Sequence, residues 1–307
     1  VVGERLAAGG VTVMVMAMRT VTVVATMATV MHTVTVTVMR AAAVTVALTA
    51  ALATPAAALE LRGEAVQGGL VTARTVPGAA VTVDGRPVRV SARGVFLIGF
   101  HRDEAGPVRI VITKPDGQVV RRALPVRARV YREQRVDGLP PAKVTPDAAA
   151  LARIKKENAQ VARARTLDDP RTDFAGGFEW PARGIITGVY GSRRILNGEP
   201  RRPHFGVDIA AAAGTPVRAP AAGVVTLAHP DMFFSGGTLI LDHGHGLSSA
   251  FLHLQRITVK VGQAVAQGDT IAEVGATGRV TGAHLDWRIN LFKKRLDPEL
   301  VAGKMPE

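Results

Sequence analysis

His284-Leu285-Asp286-Trp287-Arg288-Ile289-Asn290-Leu291 alternates polar and apolar side chains without a break. Successive side chains of a β-strand point to opposite faces. This period of two therefore sends His284, Asp286, Arg288 and Asn290 to one face and Leu285, Trp287, Ile289 and Leu291 to the other. A merely solvated face would give the same alternation as a functional one. Outward from this run, the chain from Phe178 onward offers further short β-like stretches at 217–227, 238–241, 247–254, 257–261 and 270–274, with glycines at almost every boundary and no helical period. The expectation is an antiparallel all-β domain over 178–307.

Upstream, the pattern of residues 59–137 is also strand and turn. Val81-Thr82-Val83 and Val88-Arg89-Val90 flank Asp84-Gly85, a hairpin signal, and Val108, Ile110 and Ile112 alternate before Pro115-Asp116-Gly117 and Val119. This predicts an N-terminal, immunoglobulin-like β-sandwich in which His101 and Asp103 are a solvated loop pair. Residues 138–177 read as a Pro-rich linker and helix. Gly138-Leu139-Pro140-Pro141 to Pro146 is expected to be extended, with Thr145 capping a helix that starts at Pro146. Leu151, Ile154 and Val161 share one face of that helix, and Arg153, Lys155, Lys156, Arg163 and Arg165 form a basic face, either solvated or touching an anionic polymer.

The first 58 residues speak to compartment. Residues 1–38 are a tract of Val, Thr, Met and Ala with almost no charge, unlike a folded domain, and read as a mis-assigned N-terminal extension. Met39-Arg40 then opens an apolar stretch closed by Ala56-Ala57-Ala58, the pattern of a secretory signal peptide over 39–58 with Leu59 as first mature residue. A transmembrane anchor is the alternative, since the apolar region is long enough to span when the tract is included. The 307-residue chain carries a formal charge of +13. Removing residues 1–58 takes away Arg5, Arg19 and Arg40 against Glu4, which leaves +11. Such a balance favours a polyanionic partner. With only 4% aromatic residues and no basic run interleaved with them, nucleic acid is not the expected partner. The absence of cysteine excludes disulfides, a thiol nucleophile and Cys-based metal sites.

Six of the eight histidines fall between His204 and His284. In Pro203-His204-Phe205-Gly206-Val207-Asp208 an imidazole and a carboxylate, both competent zinc ligands, stand four residues apart. A straight strand would separate their Cα atoms by about 13 Å, too far to share an ion, but Gly206 permits a bend. Phe251-Leu252-His253-Leu254 adds a histidine in an apolar strand. Taken singly, each piece is equally a bland polar residue. His243 and His245, in Asp-His-Gly-His-Gly, read as turn histidines between strands rather than a second metal site.

In order, Trp180-Pro181, Gly188-Val189-Tyr190-Gly191-Ser192-Arg193, His204-Phe205-Gly206-Val207-Asp208-Ile209, Gly214-Thr215-Pro216-Val217, Asp242-His243-Gly244, Leu252-His253-Leu254, Gly262 to Gly268, Gly275-Ala276-Thr277-Gly278 and His284-Leu285-Asp286 span about 120 residues. This ordered set resembles the lysostaphin-type (LytM-like) zinc metalloendopeptidases of peptidoglycan. The resemblance implies that His204 and Asp208 are metal ligands and that His253 and His284 are the catalytic histidines. It implies one Zn2+ per domain, amide hydrolysis, and Tyr190 and Asn197 along the substrate groove. The family's third ligand is the second histidine of HxH, and this sequence has Asp286 there. Asp286 preserves the reach of a ligand that binds through Nδ1. A His/Asp/Asp set also neutralises a divalent ion, so another, harder ion such as manganese is open. Arg288, on the same face, is placed to hydrogen-bond Asp286.

The sequence thus predicts a secreted, periplasmic metal-dependent endopeptidase that acts on peptidoglycan cross-links, not stably inserted in the membrane once the signal is cleaved. The alternative is a catalytically inactive envelope protein that keeps the fold and binds peptidoglycan or activates another hydrolase.

Overall fold

The computed structural model describes residues 59–306 and, upstream, four two-residue strands. Of these, Ala17–Met18 pairs with Arg40–Ala41 and Val21–Thr22 with Thr35–Val36, all antiparallel. The rest of the expected extension (1–38) and signal peptide (39–58), including the cleavage site, lies outside the described residues. The chain divides into two units, Val1–Thr54 and Pro55–Glu307. Within the second, two separate apolar clusters form the cores of a small sandwich and a large sheet.

The sandwich contains β1 (Glu60–Arg62), β2 (Leu70–Arg74), β3 (Ala80–Val83), β4 (Arg86–Val88), β5 (Val95–Gly99), β6 (Val108–Thr113) and β7 (Val119–Leu124). Sheet order is β1-β2-β5 in one layer and β7-β6-β3-β4 in the other, antiparallel throughout. The alternation of β6 puts Val108, Ile110 and Ile112 in the core with Val71, Phe96, Ile98 and Phe100. Asp84 (φ 49°) and Gly85 (φ 75°) make the two-residue β3–β4 turn, which requires positive φ at both positions.

Next come β8 (Glu133–Val136), α1 (Pro141–Val144) and α2 (Ala148–Ala164). Two sequence expectations fail here. The Pro-rich segment is not extended throughout, because Pro141 sits in the first turn of α1, where its fixed φ and missing N–H cost nothing. The long helix is capped by Asp147, not Thr145: Asp147 Oδ1 accepts from Ala150 N at 2.8 Å, while Thr145 closes α1. Leu151 is 55% exposed, so the buried face is narrower than the apolar period suggests. Val161 and Ala164 pack on Ile240, Ala250 and Leu252, while Lys155, Lys156 and Arg163 face solvent.

The larger body contains β9 (Ile185–Gly188), β10 (Arg193–Leu196), β11 (Glu199–Arg201), β12 (Val207–Ala210), β13 (Pro216–Arg218), β14 (Gly223–Met232), β15 (Gly236–Asp242), β16 (Leu247–Ile257), β17 (Ala264–Val265), β18 (Thr270–Val274), β19 (His284–Leu291), β20 (Lys294–Leu296) and α3 (Pro298–Ala302). Its main sheet runs β9-β12-β19-β16-β15-β14-β17, with β18 joining β16 to β13 and β20 beside β19. β8 and β10 pair in parallel and, with β11, form a separate three-stranded sheet. Leu285, Trp287 and Ile289 of β19 are fully buried with Val207, Ile209 and Phe251, which fixes the register that matters for the site: Asp286 lies abreast of Asp208 on one side and Leu252 on the other. Among the described residues no helix is long and apolar enough to cross a membrane.

Candidate metal centre

His204 precedes β12. Its N–H donates to Ser192 O (2.9 Å) and its carbonyl accepts from Gly191 N (2.7 Å), which turns the chain before the strand begins at Val207. That bend brings the imidazole back over the Asp208 carboxylate. His204 Nε2 lies 3.2 Å from Asp208 Oδ1 and 3.4 Å from Asp286 Oδ2. One ligand atom from each of the three residues falls within a sphere of mutual distances below 4.8 Å, and all three side chains are buried. Close as these atoms are, His204 Nδ1 and Nε2 and Asp208 Oδ1 make no hydrogen bond among the described residues. Buried polar atoms are rarely left unpaired, and nitrogen and carboxylate oxygen converging in this way suit a divalent cation.

Glycines make the approach possible. A Cβ on Gly206 would stand 2.5 Å from Asp286 Oδ1 and 2.6 Å from Trp287 O, and one on Gly188 would stand 2.1 Å from Asp208 Oδ2. Two guanidinium groups hold the carboxylates. Arg288 donates Nε to Asp286 Oδ1 (2.9 Å) and Nη2 to Oδ2 (2.5 Å), and Arg194 of β10 donates Nη2 to Asp208 Oδ2 (2.7 Å). Burial works to raise the pKa of Asp286, but Arg288 and His204 override it and hold the carboxyl well below the usual range. Burial likewise works to raise Asp208, and His204 and Arg194 outweigh both that and the repulsion from Asp286, so it too is lowered.

His253 and His284 lie side by side, ring centroids 4.8 Å apart. His253 Nδ1 is 2.8 Å from Thr277 O and His284 Nδ1 is 2.9 Å from Gly282 O. A carbonyl can only accept, so each Nδ1 carries the proton and each Nε2 is left for the site. His284 Nε2 stands 3.9 Å from Asp208 Oδ1. Burial pushes His253 down to about 4, against the attraction of Asp286. It is therefore neutral at pH 7, with the Nε2 lone pair unprotonated. Its backbone has φ 66°, and its N–H leaves the ladder to bond Ser235 O (2.8 Å), so the ring turns toward the polar face of β19.

The sequence profile of Peptidase family M23 matches residues 202–298, a span that contains the whole trio and both histidines. A solved structure described as a peptidase M23 from Pseudomonas aeruginosa superposes with a TM-score of 0.58 at 31% identity, covering 78% of this chain and 96% of that one. The chain belongs to peptidase family M23. Among curated relatives, peptidoglycan DD-endopeptidase ShyA of Vibrio cholerae is 42% identical over 89 residues, 28% of this chain and 20% of that protein. The lipoprotein NlpD/LppB homolog of Pseudomonas aeruginosa is 36% identical over 123 residues, 40% of this chain and 39% of that protein. The match thus spans well under half the length of each of these two relatives.

Other residues of this M23 chain sit differently from expectation. Tyr190 does not line a groove: it is 3% exposed and its hydroxyl donates to Arg295 O at 2.7 Å. Asn197 clamps the linker, with Oδ1 accepting from Leu139 N and Nδ2 donating to Leu139 O. Both nitrogens of His243 are used within the fold, on Ala222 O (2.7 Å) and Ser249 Oγ (2.9 Å). Arg194 and Arg279 line the site and Thr277 O holds His253; the sequence assigned none of the three. Thr277 was visible in the Gly275–Gly278 block, whereas nothing local marked Arg194 or Arg279. A cavity of about 310 Å³ opens onto Asp208, His253 and His284, walled by Thr187, Arg279 and Leu139.

Proposed function

We propose that this chain is a metal-dependent endopeptidase that hydrolyses peptide cross-links of bacterial peptidoglycan in the cell envelope. The observation that carries the reading is the buried convergence of His204, Asp208 and Asp286, with unpaired ligand atoms, beside two histidines whose Nε2 atoms are free. A relative named as a peptidoglycan DD-endopeptidase supports the substrate. His204, Asp208 and Asp286 hold the ion, with Zn2+ preferred for its tetrahedral nitrogen and oxygen ligation and a harder ion tolerated because two of the three ligands are carboxylates. When bound, a divalent ion supplies Lewis-acid polarisation of the scissile carbonyl and acidifies the attacking water. His253, neutral at pH 7, takes up the proton lost by the nucleophile, and His284, with Nδ1–H fixed on Gly282 O, donates from Nε2 to the developing oxyanion in its doubly protonated form. Arg194 and Arg288 orient the two carboxylates and keep them ionised.

One observation favours the inactive alternative. Arg288 already engages both oxygens of Asp286, so a fixed cation competes with the ion for the third ligand. Metal content and digestion of purified peptidoglycan decide between the readings. Near-stoichiometric metal and muropeptide release in wild type, both lost in Asp286→Ala, are expected. No metal and no release in wild type, with both gained in Asp286→His, would overturn the enzyme reading. The envelope destination rests on the signal-peptide pattern at 39–58 and the +11 charge that follows it. Exported protein should begin at Leu59 by N-terminal sequencing, and a start upstream of Met39 would refute that.

A further inference from the structure

A second cavity, of about 620 Å³, lies between α2, the segment 201–205 and the sheet residues Ile240, Ala250 and Leu252, and reaches His204, His253 and Asp286. Its wall holds seven arginines and Lys293 but a single carboxylate, that of Asp286. Some of this charge is compensated locally, since Arg288 pairs with Asp286, Arg194 with Asp208 and Arg201 with Glu199. The rest has only neutral partners or none. Arg295 donates to Asn290 Oδ1 (2.7 Å) and Arg279 to Lys143 O (3.4 Å), and the buried Nε of Arg165 has no partner among the described residues. Burial and neighbouring cations push Arg165 and Arg279 down to about 10 and Arg295 down to about 9, so all three stay charged at neutral pH. Buried charge without a counter-ion is costly, and guanidinium forks match the two oxygens of a carboxylate.

We propose that this cavity is a carboxylate subsite in which Arg165, Arg279 and Arg295 hold a free carboxylate of the peptide substrate beside the metal trio. The identity of the ligand's carrier rests on the endopeptidase reading. The subsite selects cross-links between acidic stem peptides, whose free carboxylates lie close to the bond to be cut, over glycine bridges, which present none internally. Arg202 and Lys293, exposed at the rim, draw the anion in.

The test is calorimetric titration of the full chain with a product-like stem peptide, Ala-D-isoGlu-Lys-D-Ala, and with the same peptide amidated at both carboxylates. No cross-link is present to be cut, so the readout is independent of catalysis. The acid form is expected to bind at least tenfold tighter than the amide. That ratio should fall below threefold in Arg165→Gln and in Arg295→Gln, and by about half in the exposed pair Arg202→Gln/Lys293→Gln, which leaves the core untouched. Equal affinity for acid and amide, or a preference that survives all of these variants, would overturn the subsite. A preference present in a chain that releases no muropeptides would leave the subsite standing and remove the endopeptidase reading instead.

Discussion

Gly206 is the residue on which the site's geometry turns. Its φ is not positive, so the requirement is for space: a methyl there would meet Asp286 Oδ1, Arg288 Cγ and the Trp287 carbonyl between 2.5 and 2.6 Å. None of these can retreat, since Asp286 is clamped by Arg288 and Trp287 is core. Gly206→Ala should therefore cost about 1–3 kcal/mol in thermal or urea unfolding. It should also lower bound metal at least tenfold in equilibrium dialysis. Gly282→Ala, whose methyl would enter open space, should change neither. His204, Asp208, His253, His284 and Asp286 were legible in the sequence because the family resemblance assembles what spacing alone leaves ambiguous. Arg194 was not legible, because its contact with Asp208 exists only once β10 lies across β12. Tyr190 was misread for a physical reason: an aromatic in a glycine-rich turn carries no sign of whether it faces a groove or, as here, a carbonyl in the interior.

At the level of elements, alternation and turn chemistry carried the sheets: the β3–β4 hairpin follows from Asp84-Gly85 and β19 from its period of two. Helix boundaries were less legible. Thr145, Pro146 and Asp147 offer two capping side chains around one proline, and which one caps depends on where the preceding turn ends. Because Pro141–Val144 forms its own turn and uses Thr145 to close it, Asp147 is left to accept from Ala150 N. Asp147→Ala should destabilise the chain by about 1 kcal/mol in urea unfolding, as loss of an N-cap does. Thr145→Ala should cost less than half of that, since no cap hydrogen bond goes with it. Equal losses would mean that α2 starts earlier than described. The polar face of β19 illustrates the limit of pattern reading. Alternation foretold which side chains share the face, but not that Asp286 and Asn290 on it would be 1% and 0% exposed, because their partners, His204 and Arg288 for Asp286 and Arg295 for Asn290, close over them only in the folded chain.

At the scale of the whole molecule, sandwich and sheet meet through Leu70, Val95 and Leu97, which pack into the core of the larger body, through Gly99 against Leu291 and Leu296, and through two ion pairs, Arg129 Nη1 to Asp297 Oδ2 and Lys294 Nζ to Glu104 Oε2, both 2.7 Å. Stability of this assembly has a built-in acid limit. Burial pushes His243 down to about 4 although Ala222 O favours its charged form, whereas an unfolded histidine titrates near 6.5. Above pH 6.5 both states are neutral and the residue contributes no pH dependence. Between 6.5 and 4 the unfolded chain takes up a proton that the fold refuses, so stability falls as pH falls, and the loss levels off below 4. The size is on the order of 3 kcal/mol. Its neighbour Asp242 acts in the opposite sense. Burial raises it to about 6 against the pull of Arg171, so the folded chain binds that proton first and gains stability from pH 6 down to the ordinary carboxylate range. The net acid slope of the wild type is therefore a difference between two groups, and the variant that isolates one of them is informative. His243→Gln keeps a donor toward Ala222 O and an acceptor toward Ser249 but cannot titrate. Urea unfolding of both proteins at pH 7 and pH 4.5 should show the variant losing less stability on acidification by about 2–3 kcal/mol, even where it is the less stable protein at pH 7. Parallel losses in the two would mean that His243 is protonated inside the fold well above pH 4, and that its hydrogen bonds to Ala222 and Ser249 do not enforce the neutral ring.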